Sequence, residues 1–320
     1  MIVESLAAVF MLSKVIFLAG PTASGKTELA VEIGDRLPCE IVSVDSAMVY
    51  RGMDIGTAKP DAVLRRRAPH RLIDICDPAE SYSVARFRAD ALREIRTIQA
   101  RGKIPLLVGG TMLYFRALER GLSALPGAQP QLRERIEHEA RDRGWTAMHA
   151  RLAAIDPVAA ARIHPHDPQR IQRALEVYEL TGRPMTELVK ESASEPLPFD
   201  VVKIHVFPED REVLHNRIAA RFRDMLSRGL LDEVRALYDR GDLGPELPAI
   251  RAVGYRQLWA YFAGSADLES AARAAVVATR QLAKRQMTWL RADPGARQFL
   301  ADTPGLSANV LNFIEAAASD

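Results

Sequence analysis

Gly20-Pro21-Thr22-Ala23-Ser24-Gly25-Lys26-Thr27 follows an apolar run, Val15-Ile16-Phe17-Leu18-Ala19, and precedes a helical pattern, Glu28-Leu29-Ala30-Val31-Glu32-Ile33. A strand, a glycine-bounded loop and a Lys-Thr pair opening a helix form the context in which G-x-x-x-x-G-K-[ST] is a phosphate site. The glycines let the loop wrap with its backbone N–H groups turned inward on an anion. Lys26 adds a full charge and the helix N-terminus a partial one. Thr27 suits a hydroxyl ligand to Mg²⁺ held between phosphate oxygens. A plain glycine turn is the competing reading, and the flanks favour the phosphate site. The motif asks for a diphosphate or triphosphate and is silent on what carries it.

Outward from the loop, the front half alternates short apolar runs with helical patterns, which predicts βα units and a parallel sheet. Strands are expected over residues 15–19, 41–44, 72–75 and 104–108, and Ser83 caps a long amphipathic helix ending near Gly102. Residues 201–207 return the chain to the sheet. Between Gly121 and about Pro198 no strand-like run occurs and Arg, Glu and Ala dominate. There Asp156-Pro157 and Asp167-Pro168 read as caps followed by Pro at the first helical position, and a Pro/Ser/Glu-rich segment, 191–198, closes the stretch. Residues 211–291 look helical again. The expected fold class is α/β, a P-loop NTPase-like parallel sheet core flanked by helices, with an all-helical insertion domain. The core is expected over 14–121 and 199–300, the insertion over 122–198, and variable ends over 1–13 and 301–320.

Length and composition set bounds. The 320 residues, 48% hydrophobic and 26% charged, suffice for a substantial core in an ordinary globular chain. A formal net charge of +2 does not by itself argue for a polyanionic partner, so any basic surface must be local. Cys39 and Cys76 show no C-x-x-C or Cys/His spacing and are expected to be reduced core thiols. No apolar stretch approaches a membrane span. The start, Met1-Ile2-Val3-Glu4-Ser5, lacks the basic region of a secretory signal. Residues before about Lys14 read as an extension, with Met11 as an alternative start. A cytoplasmic protein without membrane association is expected, with monomer as the default.

Three further constellations carry chemistry. Val42-Ser43-Val44-Asp45-Ser46 ends the second strand in an acid, and in open α/β sheets ligands sit at the carboxyl ends of strands. Asp45 either faces the phosphate site or caps a helix with Ser46. A carboxylate beside a diphosphate is costly without a compensating cation or donor, which favours the functional role. Leu106-Leu107-Val108-Gly109-Gly110-Thr111 ends another strand in two glycines and a hydroxyl that suit a closely approaching ligand, or a tight turn. Residues 270–291 hold five basic residues and no acid. On a helix Arg273, Arg280, Lys284, Thr288 and Arg291 form one stripe, with Ala275, Ala278, Leu282 and Trp289 opposite. Such a ridge suggests several phosphates. Gln169-Arg170-Ile171-Gln172-Arg173 is a weaker cluster suited to backbone and base-edge contacts. Either Arg217 or Arg221, four apart, is placed to close over the phosphate site. His164 and His166 lack a third ligand and are read as structural.

Together these residues resemble the tRNA dimethylallyltransferases (the IPP transferase family). The resemblance runs through Gly20–Thr27 of the loop, the long string from Asp45-Ser46-Ala47-Met48 to Thr57-Ala58-Lys59-Pro60, and Gly109-Gly110-Thr111-Met112-Leu113-Tyr114. It continues through the 169–173 cluster, Gly229-Leu230-Leu231-Asp232-Glu233-Val234, Arg251-Ala252-Val253-Gly254-Tyr255-Arg256-Gln257 and Arg280-Gln281-Leu282-Ala283-Lys284-Arg285-Gln286. It implies that Gly20, Pro21, Thr22, Ala23, Ser24, Gly25, Lys26 and Thr27 hold the diphosphate of dimethylallyl diphosphate rather than a nucleotide, with Mg²⁺ near Thr27. It implies that Lys26 and Arg221 assist departure of the diphosphate, that Asp45 deprotonates N6 of adenosine 37 next to the anticodon, and that Thr111 holds the reacting groups. Implied tRNA contacts are Asp45, Ser46, Ala47, Met48, Thr111, Arg133, the residues Gln169, Arg170, Ile171, Gln172 and Arg173, the run Arg251, Ala252, Val253, Gly254, Tyr255 and Arg256, and Lys284, Arg285, Gln286, Thr288, Trp289 and Arg291. The flipped base and the insertion clasping the anticodon stem-loop are part of the same expectation. A nucleoside-monophosphate-type kinase and a non-catalytic RNA-binding NTP switch share the loop. The first would use ATP as donor, and the second would have no need of Asp45.

Overall fold

The strand β1 (Lys14–Ala19) is buried on both faces: Val15, Phe17 and Ala19 enter one apolar cluster, Ile16 and Leu18 the other. Its sequence is therefore an unbroken apolar run and not an alternating one. The computed structural model describes residues 14–191 and 197–317. After β1 come α1 (Lys26–Arg36), β2 (Cys39–Val44), α2 (Ala62–Arg67), β3 (His70–Arg71), α3 (Val84–Gln99), β4 (Ile104–Gly109) and α4 (Met112–Arg120). A helical stretch follows: α5 (Pro130–Arg143), α6 (Trp145–Ile155), α7 (Pro157–Ala160), α8 (Pro168–Thr181) and α9 (Met185–Glu191). The chain then forms β5 (Asp200–Phe207), α10 (Arg211–Ser227), α11 (Leu230–Tyr238), α12 (Tyr255–Phe262), α13 (Leu268–Arg291), β6 (Arg297–Leu300) and α14 (Leu306–Ala317). Two compact units result, divided between Glu119 and Arg120 and between Pro196 and Leu197.

In the larger unit the strands make one parallel sheet in the order β3-β2-β4-β1-β5-β6. Register puts Ala19, Gly109 and Val44 level with one another, Gly109 pairing with both. The residues that follow, Gly20, Gly110 and Asp45, thus leave three adjacent strands at the same edge, where α/β sheets place their ligands. Gly109 is required there, because a Cβ on it would lie 2.1 Å from the Val44 carbonyl oxygen. Ser83 caps α3 by accepting the Arg86 N–H. Cys39 and Cys76 are both free thiols.

Two expectations need correction. Residues 72–75 are not a strand: β3 stops at Arg71, and Leu72 and Asp74 take left-handed φ values of 61° and 58°. The segment instead donates its Asp74, Ile75 and Cys76 N–H groups to Met48 and Val49 carbonyls, while Asp74 binds Lys59 and Arg65. Residues after 300 are more than a variable end. The Ala301 N–H donates to the Phe207 carbonyl of β5, and α14 buries Val310 and Ile314 in the second cluster. The extension before Lys14 and most of segment 191–198 lie outside the described residues.

The smaller unit has its own core, built around Ile136, Met148, Leu152, Ile171 and Leu175. Asp156 and Asp167 cap α7 and α8 by accepting the N–H groups of Ala159 and Arg170. Glu176 is fully buried and accepts from Arg133, Arg173 and the Gln129 N–H. Burial alone would raise its pKa, but the two arginines hold the carboxyl below its ordinary value. Glu176→Ala removes the carboxylate partner of both guanidinium groups, leaving Arg173 only the Pro126 carbonyl, and is expected to destabilise this unit by about 3 kcal/mol, since their partial exposure softens the loss. A thermal melt of the full chain superimposable on wild type would show that this network contributes nothing.

Candidate active site

The phosphate loop is strained where it must be. Ala23 and Gly25 have φ of 62° and 79°, the left-handed turns that point successive N–H groups into one concavity. A Cβ on Gly20 would sit 2.7 Å from the Val206 carbonyl oxygen and 2.8 Å from Ser24 Oγ. Ser24 Oγ is buried with no hydrogen-bond partner among the described residues, a polar atom fit for a ligand oxygen. Lys26 Nζ donates to the Pro21 carbonyl at 2.7 Å. Burial, reinforced by the Arg221 charge and opposed by Asp45 and Glu28, brings the Lys26 ammonium down to about 8. A bound anion favours the charged form. Affinity is therefore complete below that pH and declines as pH rises through it, by up to about tenfold per unit. Calorimetry with inorganic diphosphate checks this, and an affinity flat from about pH 7 to about pH 9 would take Lys26 out of the anion site.

At the end of β2, Asp45 Oδ1 accepts the Ala47 and Met48 N–H groups at 2.8 and 3.2 Å. The capping role and the functional role therefore coexist: Oδ1 holds the turn, and Oδ2 has no hydrogen-bond partner among the described residues. Thr111 links the two strand ends. Its N–H donates to the Val44 carbonyl at 3.2 Å and its hydroxyl accepts the Ser46 N–H at 3.1 Å.

A cleft of about 440 Å³ runs past Thr22, Ala23, Asp45, Thr111 and Arg221 and has an apolar side formed by Ile218, Phe222, Met225 and Leu282. Burial pulls Arg221 down from the usual guanidinium value, with Glu28 and Asp45 opposing, and it remains a cation. Arg217 turns away to pair with Asp302. Gly56 and Thr57 of one loop and Arg251, Ala252, Val253 and Gly254 of another also line the cleft. Glu233 pins both: it accepts the Asp54, Ile55 and Gly56 N–H groups and the Tyr255 hydroxyl. Gly56 must be glycine, since a Cβ would meet the Tyr255 ring at 2.6 Å. The buried Lys59 ammonium donates to the Tyr50 carbonyl, Asp54 and Asp74. The 45–60 string is thus mostly a brace for one wall.

The structure shows what the expected RNA contacts touch within the protein. Arg133 and Arg173 serve Glu176, Ile171 is core, and Gln172 donates to the Arg133 carbonyl and Glu137. Arg170 pairs with Asp167, and Gln169 is exposed. Tyr255 is fully buried. On α13, Arg273 is paired to Glu269, one residue outside the acid-free stretch. Lys284, Arg285, Thr288 and Arg291 are exposed, as is Arg256 on α12. Trp289, expected opposite the basic stripe, is 40% exposed at the cleft, with the Arg116 guanidinium 5.7 Å from its ring centroid. Gln286 is instead buried and bonded to the protein itself. The supporting roles of Glu233 and Gln286 escape sequence reasoning, because their partners are mostly backbone groups up to 179 and 264 residues away, and that of Lys59 because nothing local marks its ammonium as buried.

Loop, carboxylate and arginine on one sheet edge define a phosphate-loop enzyme of the α/β class. The IPP transferase family model matches residues 48–293. A curated tRNA dimethylallyltransferase from Thioalkalivibrio sulfidiphilus (strain HL-EbGR7) is 60% identical over 305 residues, 94% of this chain and 95% of that protein. The crystal structure of a tRNA isopentenylpyrophosphate transferase from Bacillus halodurans matches with a TM-score of 0.71 and 38% identity, over 96% of this chain and 97% of that one. A eukaryotic dimethylallyltransferase solved acting on tRNA matches with a TM-score of 0.76 and 28% identity, over 90% and 74%. The chain belongs to the IPP transferase family.

Proposed function

We propose that this enzyme transfers the dimethylallyl group of dimethylallyl diphosphate to N6 of adenosine 37, beside the tRNA anticodon, and releases diphosphate. The observation that carries the reading is the shared cleft: Thr22 and Ala23 of the anion loop, Arg221, apolar side chains of α10 and α13, and Asp45 all line it. The 60% identical relative, named for dimethylallyl transfer to tRNA, supports the same reaction.

The diphosphate lies in the phosphate loop, where Lys26, Arg221 and the loop N–H groups offset the charge that grows as the allylic C–O bond breaks. The electron pair of that bond leaves with the diphosphate. N6 bonds to the allylic carbon, and the proton it sheds passes to Asp45 Oδ2. Thr111 keeps the 45–48 turn in place through the Ser46 N–H. To reach this depth the adenine leaves the anticodon-loop stack.

Mg²⁺ binds few protein oxygens and several phosphate oxygens. The residues present fit that habit: the unpartnered Ser24 Oγ marks a loop open to ligand oxygens, and no cluster of three His, Cys, Asp or Glu is arranged for a metal among the described residues. Thr27 is the residue to hold it, and when bound it would stabilise the departing diphosphate. Among the described residues no helix is long and apolar enough to cross a membrane.

The exposed Lys284, Arg285 and Arg291 are read as phosphate contacts for the anticodon stem-loop. Lys284→Ala with Arg291→Ala is expected to weaken tRNA binding and reduce the slope of log K against log salt by about 1.5–2. An unchanged slope removes α13 from the RNA surface. The reaction itself is tested with unmodified tRNA, Mg²⁺ and radiolabelled dimethylallyl diphosphate, with labelled ATP in parallel. Label on adenosine from the prenyl donor alone is expected. Label transfer from ATP alone would overturn the reading in favour of a kinase.

A further inference from the structure

Gln286 faces inward from α13 between outward-facing Arg285 and Thr288. Both ends of its amide are engaged. Oε1 accepts the Thr22 N–H at 3.0 Å, and Nε2 donates to the Gly110 carbonyl at 2.8 Å. One side chain therefore joins the basic helix, the phosphate loop and the glycine pair after β4. Space is reserved for it, since a Cβ on Gly110 would lie 2.4 Å from Nε2. Among the described residues no other hydrogen bond runs from α13 to the loop. Beside it, the left-handed Ala23 packs on the cluster containing Ala283 and Met287 of the same helix. A buried amide satisfied on both sides is a stiff link, because breaking either bond leaves a desolvated polar group behind.

We propose that Gln286 is a positioning residue through which RNA docked on the outer face of α13 sets the phosphate-loop geometry, so that RNA and diphosphate bind cooperatively. This rests on the reading of α13 as an RNA-contacting helix. Reciprocity requires each ligand to tighten the other by the same factor.

The test titrates inorganic diphosphate with Mg²⁺ into the full chain by calorimetry, with and without an unmodified anticodon stem-loop, in wild type and Gln286→Met. The wild-type diphosphate Kd is expected to fall at least about fivefold with the stem-loop present. Methionine conserves volume and loses both hydrogen bonds. It is expected to raise the diphosphate Kd about tenfold and erase the stem-loop effect, while stem-loop affinity alone stays within about twofold. In turnover the loss falls on the donor KM and not on kcat. A wild-type stem-loop that binds without changing the diphosphate Kd overturns the proposal without reference to the variant. Coupling undiminished in Gln286→Met, or a matching loss of stem-loop affinity, also overturns it. A stem-loop that does not bind wild type at all sinks the RNA reading of α13 and this proposal with it.

Discussion

Asp45→Asn is expected to lower kcat by about 10³-fold, within the usual range for removing a positioned general base, while tRNA affinity stays within about twofold. The asparagine variant discriminates better than alanine. Its side-chain oxygen still accepts the Ala47 and Met48 N–H groups that Asp45 Oδ1 holds, so the turn after β2 survives. What disappears is the capacity of the second oxygen to take a proton. Asp45→Ala removes both, and the extra loss of stability, about 1 kcal/mol for such a side-chain cap, measures the turn alone. Single-turnover kinetics with prebound tRNA read the first effect and a melting curve the second. Near-wild-type turnover in Asp45→Asn would reduce Asp45 to a cap and leave the base unidentified.

Lys26→Ala comes next in size. Removing one preorganised cation from a leaving diphosphate is expected to lower kcat/KM for the donor by about 10²- to 10³-fold. Its stability should move the other way. The folded protein pulls the Lys26 ammonium down to about 8, chiefly through burial and then through Arg221, so folding without a ligand disfavours its charge. The alanine variant is therefore expected to melt no lower than wild type at neutral pH. A large drop in Tm would mean that the Lys26 bond to the Pro21 carbonyl matters more to the fold than its charge costs.

The loop and the ends of β1, β2 and β4 were readable because their signals are local. Doubly buried strands are continuously apolar, and a phosphate loop needs particular residues in sequence order. The convergence of Gly20, Asp45 and Gly110 followed from parallel βα topology alone. Residues 72–75 misled because Leu72 and Ile75 are apolar yet sit in an irregular turn shaped by Asp74, Lys59 and Arg65. β6 was invisible because Arg297, Gln298 and Leu300 of this edge strand are exposed, leaving little apolar signal. In the smaller unit the buried Glu176 gave no sign in the sequence, because only the folded helices bring it between Arg133 and Arg173, whose reading as RNA contacts the structure leaves standing beside that internal role. Helix phase at Trp289 failed for a milder reason, since a cleft-edge position is neither core nor fully exposed surface.

The lining of the cleft is made of two different materials. The 54–57 loop is riveted by Glu233 through its backbone and by Lys59 through the Asp54 carboxylate, so this part is hard. Ile218, Phe222, Met225 and Leu282, side chains on α10 and α13, form a soft part that takes no share in those hydrogen bonds. Any drift toward a bulkier or slimmer prenyl donor will therefore be written on α10 and α13, while the long 45–60 string stays constrained whatever the donor becomes.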